Sequence, residues 1–176
     1  MKKIIFTLIA VSQFSPLAYA FNKSGTFPLT LGGGYYYLAE KRHMDNSGAL
    51  SGALGYNIND QWGVQAMLAG FNTNTRRAVD QDNRTVDATF FAFNVVYHFK
   101  PTGRFQPYVL AGPGILGLSP NGDDARNEGN INGAFGVQYF IGEKMALGIE
   151  ARAIYTIIGG KLDGFANGGI TYMFNA

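Results

Sequence analysis

Bulky apolar residues alternate with small or polar residues along several segments of this chain. The clearest example runs from residue 89 to 99, where one set of alternate positions is Phe91, Phe93, Val95, Tyr97 and Phe99. The intervening positions are Phe90, Ala92, Asn94, Val96 and His98. Segments 131–139 and 145–157 repeat the pattern. A period of two residues predicts β-strands with one bulky apolar face and one small or polar face.

This arrangement of faces indicates which solvent each face meets. A soluble barrel keeps its bulky apolar residues inside, whereas a membrane barrel turns them toward lipid and lines its lumen with small and polar groups. A lumen of eight strands has room only for side chains. The pattern therefore predicts a membrane barrel whose interior is dominated by Gly, Ala, Ser, Asn and Gln.

Turn residues divide the pattern into eight segments. We predict strands near 27–39, 47–57, 62–73, 85–99, 105–118, 130–141, 145–158 and 164–174. The connections 57–61, 100–104 and 142–144 are tight turns, while 40–46, 74–84 and 119–129 are longer loops and 159–163 is short. Short turns on the periplasmic side and longer loops outside are typical of bacterial outer-membrane barrels. The predicted fold is all-β, an eight-stranded antiparallel up-and-down transmembrane β-barrel.

The first twenty residues have the features of a cleaved signal peptide. Lys2 and Lys3 precede a short apolar run at residues 4–11, and Ala18-Tyr19-Ala20 supplies the small-x-small cleavage pattern. An apolar run of this length is too short to span a bilayer, which takes roughly 20 residues. We therefore predict a signal peptide at 1–20, export from the cytoplasm, and a single barrel domain at 21–176.

Charge and composition exclude several classes of function. The chain has 14 Lys+Arg and 12 Asp+Glu, and removing the two lysines of the signal leaves 12 basic against 12 acidic residues. Such a balance does not favour nucleic-acid binding, which needs a basic patch or stripe. The chain has no cysteine, so disulfides, thiolate metal sites and cysteine nucleophiles are excluded. We predict no cofactor and no metal site.

The last predicted strand carries the most specific motif. Its sequence, GGITYMF at 168–174, alternates hydrophobic and aromatic residues and ends in Phe174. It resembles the assembly signal of the small outer-membrane β-barrel proteins of the OmpA/OmpX type, except that Asn175 and Ala176 follow the Phe. The segment 105–114 is also typical of these barrels. The resemblance implies a Gram-negative outer membrane, and assembly machinery that recognises Gly168, Ile170, Tyr172 and Phe174.

Two charged residues are predicted to lie inside the barrel. Glu150 and Arg152 stand two positions apart on one strand and share a face, and Arg on the lipid face would cost about 2–4 kcal/mol at the bilayer midplane. Asp87 and His98 are candidates to join them from the fourth predicted strand, if the tilt of the strands brings them close. Such a network either selects and gates ions or plugs and stiffens the barrel, and we favour the plug.

Other polar and aromatic residues are assigned to the loops and the membrane interfaces. Arg76, Arg77 and Arg84 could pair with lipopolysaccharide phosphates, although Asp80 and Asp82 between them are equally consistent with solvated loop charge. Asp123, Asp124 and Glu128 match no standard cation-binding loop and are interpreted as solvated. Interfacial aromatic girdles are predicted from Trp62, Tyr35, Tyr37, Tyr56, Tyr97, Tyr108, Tyr139, Tyr155 and Tyr172.

These features favour a non-enzymatic, monomeric outer-membrane protein with a structural or surface-interaction role. Its partners would be membrane lipid, lipopolysaccharide, the assembly machinery and an extracellular ligand. A narrow channel is the alternative. Some eight-stranded barrels modify lipid A, but His98 is followed by Phe-Lys rather than the His-x-Ser of lipid A deacylases, so no catalytic residue is assigned. A soluble lipocalin-like barrel leaves the bulky outer face unexplained.

Overall fold

The chain folds into one closed antiparallel β-barrel. The computed structural model describes residues 22–76, 85–120 and 125–175. Its strands are β1 (Thr26–Tyr37), β2 (Ser47–Asn57), β3 (Trp62–Asn74), β4 (Thr85–His98), β5 (Phe105–Pro120), β6 (Arg126–Phe140), β7 (Met145–Thr156) and β8 (Lys161–Asn175). Each strand pairs with its neighbours in sequence, and β8 returns to β1. The predicted fold class is confirmed.

Closure is made by a long ladder between the first and last strands. The register runs from Thr26 opposite Asn175 to Tyr37 opposite Gly164. Since hydrocarbon offers no hydrogen-bond partner to a free N–H or C=O, a sheet in lipid must close on itself. The end of the barrel that carries the three short turns is called the periplasmic end below, as in bacterial barrels of this kind.

The predicted strand boundaries differ from the observed ones mainly at the third outer connection. Residues 119–129 were expected to form a loop, but β5 continues to Pro120 and β6 begins at Arg126. Leu118 pairs with Arg126 and Gly117 with Asn127, so polar and charged residues belong to the ladder here. Residues 119–129 are polar because the ends of β5 and β6 extend beyond the apolar band, and this polar composition was the reason that a loop was predicted here.

The two faces of the sheet are arranged as the alternation predicted. In β4, Phe91, Phe93 and Val95 are exposed on the outside, while Phe90, Ala92, Asn94, Val96 and His98 are buried inside. The exposed apolar set continues on the other strands, for example at Leu31, Leu50, Ile115, Ile131 and Ile149. The outer surface is therefore an apolar band suited to lipid.

Aromatic side chains ring the periplasmic end of this band. Ring centroids lie 4.9 Å apart in the pairs Phe27–Tyr56, Trp62–Tyr97 and Phe105–Tyr139, and 4.7 Å apart in Tyr172–Phe174. Tyr35 and Tyr37 form a smaller pair toward the opposite end. Tyr108 is the exception to the predicted girdle, because it alternates with the outward Val109 and is buried in the lumen.

One short 3-10 helix, η1 (Glu40–Arg42), lies between β1 and β2 at the extracellular end. It ends at His43, whose φ of 52° places it in the left-handed region. Within the described residues, no helix is long and apolar enough to cross a membrane.

Candidate functional site

The extracellular half of the lumen is filled by an apolar core. Tyr36 stacks on Phe71 with centroids 4.4 Å apart and lies 5.6 Å from Phe165. The same cluster includes Val86, Ala88, Phe90, Leu116, Leu118 and Ile154. The prediction of a lumen dominated by small and polar residues is wrong for this half. Large rings fit here because the neighbouring inward positions are Ala49, Ala69, Ala88 and Ala92.

The predicted charge pair lies inside the barrel, below this core. The Arg152 guanidinium donates from Nε and Nη2 to Glu150 Oε1 at 3.0 and 2.9 Å. Its Nη1 donates to Asn132 Oδ1, and Tyr108 Oη donates to Glu150 Oε2 at 3.0 Å. Arg152 also lies over the ring of Phe90, 5.8 Å from its centroid. Both charges are thus paired and tied to three strands.

The other two residues proposed for this network lie elsewhere. Asp87 is exposed on the outer side of β4, opposite Asn72 and Ser119, so its inclusion is wrong. Its position in the alternation is the reason, since Val86 and Ala88 take the inward positions. His98 does face the lumen, but at the periplasmic end, where its ring centroid lies 5.9 Å from that of Tyr108.

A second charge cluster closes the extracellular mouth. Arg42 of η1 donates to both carboxylate oxygens of Asp163, including Nη2 to Oδ2 at 2.7 Å, and from Nη1 to Glu128 Oε2 at 2.6 Å. Nη2 also donates to Thr156 Oγ1, and Lys161 Nζ donates to Glu128 Oε1 at 2.8 Å. The Arg42 and Asp163 side chains are 1% and 0% exposed. The first outer loop is therefore bound to β6, β7 and β8.

Electrostatics keep this cluster charged. Burial disfavours the Arg42 cation, but hydrogen bonds and Coulomb attraction from Asp163 and Glu128 outweigh burial and raise the pKa of Arg42 above its ordinary value. The guanidinium is consequently a permanent cation. Two carboxylates and two cations face one another, which leaves the cluster with no net charge.

A set of amides closes the periplasmic mouth around Asn22. The Asn22 side chain donates to Gln138 Oε1 at 2.9 Å and to Gln106 Oε1 at 3.1 Å, and it lies 3.0 Å from His98 Nδ1. Asn57 donates to Asn22 Oδ1 at 3.3 Å. Beside them lies a cavity of about 50 Å³ lined by both polar and apolar residues, room for a few water molecules. It reaches the apolar core, since Ala53 and Met67 belong both to its lining and to that core.

The arginines proposed to meet lipopolysaccharide are only partly described. Arg76 Nε lies 3.1 Å from Asp45 Oδ1 in an exposed pair, so it carries a compensated charge at the outer rim. Arg77 and Arg84 lie outside the described residues, as do Asp123 and Asp124. Glu128, interpreted from the sequence as solvated, instead belongs to the buried cluster with Arg42.

The C-terminal motif lies on the lipid-facing side of the closing strand. Ile170, Tyr172 and Phe174 are exposed to the outside, and Gly168 is opposite Gly33 of β1. The hydrophobic residues of the motif are thus presented on the outer face of β8.

The described residues hold no group of three or more His, Asp or Glu side chains suited to a metal ion. Within the same residues, Ser24 and Ser47 donate to backbone oxygens and Ser51 donates to Asn167.

Sequence reasoning missed Arg42, Asp163 and Asn22. Asp163 carried a usable signal, because it stands two positions before the inward Phe165 and four before Asn167 in an alternating strand. An acid at such a position must face the lumen and needs a cation nearby. Nothing in the local pattern around Arg42 or Asn22 indicates that these residues enter the barrel mouths.

Comparison with known proteins agrees with this architecture. Neisserial surface protein A superimposes with a TM-score of 0.70 at 14% identity, covering 86% of this chain and 98% of the other. OprG from Pseudomonas aeruginosa gives 0.63 at 14% identity, covering 89% and 100%. Ail from Yersinia pestis, in complex with the heparin analogue sucrose octasulfate, gives 0.58 at 16% identity, covering 86% and 99%.

At these identities the structural likeness establishes the fold alone. No curated protein sequence matches the chain. The sequence profile of the outer membrane protein beta-barrel domain, however, matches residues 5–174, which is nearly the entire chain. The protein belongs to the outer membrane protein beta-barrel domain family and is an outer-membrane barrel of Gram-negative type.

Proposed function

We propose that this protein is a closed, non-enzymatic outer-membrane barrel that acts through its rigidity and its outer loops rather than by conducting solutes. The observation that carries the proposal is the apolar core around Tyr36, Phe71, Phe90 and Phe165, which fills the extracellular half of the lumen. Packed aromatic rings leave no aqueous path, and moving ions through them requires desolvation.

The rest of the lumen supports the same function. The cluster of Arg42, Glu128 and Asp163 lies above the core, and Glu150 with Arg152 lies below it. Neither group offers an unneutralised charge that would attract an ion, since Lys161 completes the first. The cavity toward the periplasmic end is small, about 50 Å³, and is bounded by Ala53 and Met67 of the core. The alternative of a narrow channel therefore lacks a continuous pore.

A planar-bilayer recording tests this proposal. We expect the purified protein to give no steady single-channel steps under conditions in which a large open porin conducts, because the core blocks the lumen. Steady steps that change with Glu150→Gln would contradict the proposal, since they would place the conducting path along the Glu150–Arg152 pair.

We further propose that the outer loops contact lipopolysaccharide and extracellular ligands, and that residues 1–20 direct export. Ail, which shares this fold, has been solved in complex with the heparin analogue sucrose octasulfate, and we propose an anionic ligand of this kind, sulfated or phosphorylated, for the outer loops of this chain. Arg76 is exposed there, and Arg77 and Arg84 follow in the same loop. The outward Gly168, Ile170, Tyr172 and Phe174 are proposed as the signal read by the assembly machinery, and the barrel as a monomer.

The arginine proposal predicts graded loss of lipopolysaccharide binding. Near an anionic membrane surface each basic residue contributes about 1 kcal/mol, so Arg77→Gln and Arg84→Gln should each weaken binding about fivefold. Arg76→Gln should weaken it less, because Asp45 already neutralises this residue. Binding of detergent-solubilised protein to immobilised lipopolysaccharide measures the effect. If the variant that combines all three substitutions binds lipopolysaccharide as well as the wild-type protein does, the proposed contact with lipopolysaccharide is wrong.

A further inference from the structure

The turn between β4 and β5 is the one short turn among the described residues that carries only positive charge. Lys100 and Arg104 stand at its two ends, and neither belongs to an ion pair among the described residues. The β2–β3 turn carries the acid Asp60, and the β6–β7 turn carries Glu143 beside Lys144. The β4–β5 turn therefore concentrates two uncompensated cations at one point of the periplasmic rim.

The turn is held in a defined conformation. Thr102 N donates to Phe105 O at 2.8 Å, and Phe105 N donates to Thr102 O at 3.1 Å. Gly103 adopts a φ of 62°, a left-handed conformation that glycine takes without strain. Pro101 fixes another backbone angle. Lys100 and Arg104 thus extend from a rigid base.

Aromatic rings flank both ends of this turn on the lipid-facing side. Phe99 and Phe105 are 41% and 54% exposed. Phe99 contacts Tyr97 at 5.1 Å, Tyr97 contacts Trp62 at 4.9 Å, and Phe105 contacts Tyr139 at 4.9 Å. Aromatic residues in such girdles lie at the level of lipid headgroups. Lys100 follows Phe99 and Arg104 precedes Phe105 in the chain, so the two cations stand beside these rings at the periplasmic end of the barrel.

We propose that Lys100, Arg104 and the flanking rings form a binding surface for an anionic phospholipid headgroup of the periplasmic leaflet. The guanidinium and ammonium groups pair with the lipid phosphate and its anionic neighbours, while Phe99 and Phe105 pack against the upper acyl chains. We assign a lipid rather than free phosphate because each cation is next in sequence to an exposed ring of the apolar band, Phe99 or Phe105. The inference depends on the barrel topology and is independent of the proposed closed lumen.

Trp62 provides a native reporter for this surface. It is the only tryptophan of the chain. Trp62 contacts Tyr97, which contacts Phe99 at the start of the turn. The protein is reconstituted in vesicles that mix phosphatidylcholine with phosphatidylglycerol, with brominated acyl chains on one lipid or the other. Quenching of Trp62 by each brominated lipid gives the relative occupancy of the adjacent sites.

We expect brominated phosphatidylglycerol to be enriched by up to about 25-fold over brominated phosphatidylcholine around Trp62, about fivefold for each of the two cations. Each basic residue near an anionic surface adds about fivefold, so Lys100→Gln and Arg104→Gln together should abolish the enrichment. The matched control is Lys144→Gln in the β6–β7 turn, which is separated from the β4–β5 turn by β5 and β6. This variant should leave the enrichment unchanged. A boiled-versus-unboiled gel shift verifies that each variant is folded.

Four outcomes would overturn the inference. Equal quenching by the two lipids would show no headgroup preference. Enrichment that survives the Lys100→Gln, Arg104→Gln pair would place the preference elsewhere. An equal loss in Lys144→Gln would indicate general surface charge rather than this turn. Glycerol phosphate added at constant ionic strength should not reverse the enrichment, and reversal would identify the site as one for free phosphate.

Discussion

Replacement of Arg42 by methionine should destabilise the folded barrel by about 3–5 kcal/mol. The substitution keeps an unbranched side chain of similar length but leaves Asp163 and Glu128 buried without their main cation. Removing one member of a buried ion pair has a cost of this size because the remaining charge stays desolvated. Only Lys161 remains to neutralise the two carboxylates. Urea titration in vesicles, followed by Trp62 fluorescence and by gel mobility without boiling, measures the loss.

Arg76→Met is the matched control for this experiment. Arg76 also pairs with an aspartate and links the first outer loop to the residues that follow β3, but its side chain and that of Asp45 are 45% and 58% exposed. Pairs of this kind contribute about 0–1 kcal/mol. If Arg42→Met costs no more than Arg76→Met, the cluster at the mouth is hydrated, and the first loop does not seal the barrel.

Replacement of Gly34 by alanine should impair closure of the barrel between β1 and β8. A Cβ atom at Gly34 would clash with the backbone carbonyl oxygen of Ala166 in the partner strand. The obstacle is backbone, which cannot rotate away as a side chain can, so the two strands must separate. Such overpacking costs about 1–3 kcal/mol and occasionally more. We expect a lower urea midpoint and a smaller heat-modifiable fraction after refolding.

Gly70→Ala tests whether this effect is local to the seam. Gly70 is also in the middle of a paired strand, opposite Leu50 and Thr89, but no atom lies within 4 Å of a Cβ built there. Both variants therefore change the intrinsic strand propensity by the same amount, and they differ in whether the added Cβ atom meets the neighbouring strand. If Gly34→Ala folds with the wild-type yield, β1 and β8 can separate enough to accept the added Cβ atom, and the predicted effect on closure is wrong.

The strands and their lipid-facing sides could be predicted because their cause is local. A strand puts successive side chains on opposite faces, so the alternation of Phe91, Phe93 and Val95 with Ala92 and Asn94 specifies both conformation and orientation. The eight predicted segments overlap all eight strands. The pairing of Glu150 with Arg152 followed from the same rule, since residues two apart share a face.

The same rule fails where more than one strand decides the environment. Asp87 lies between the inward-facing Val86 and Ala88, so it faces outward. Counting the alternation along β4 back from Phe90 gives the same result. Phe90 and Phe165 were inward by alternation, yet their inclusion in one core with Tyr36 and Phe71 depends on the stagger of four strands. A local pattern contains no information about which rings meet across the barrel.

The sequence by itself therefore determined the barrel, its eight strands, its apolar outer band and the burial of Glu150 and Arg152, because each follows from a two-residue period and the cost of charge in lipid. Only the tertiary structure decided how the barrel is closed at its two ends. Arg42 reaches Asp163 across 121 positions of the chain, and Asn22 reaches Gln138 across 116. Contacts so distant in sequence depend on the radius and shear of the closed barrel, which exist only when all eight strands are in register.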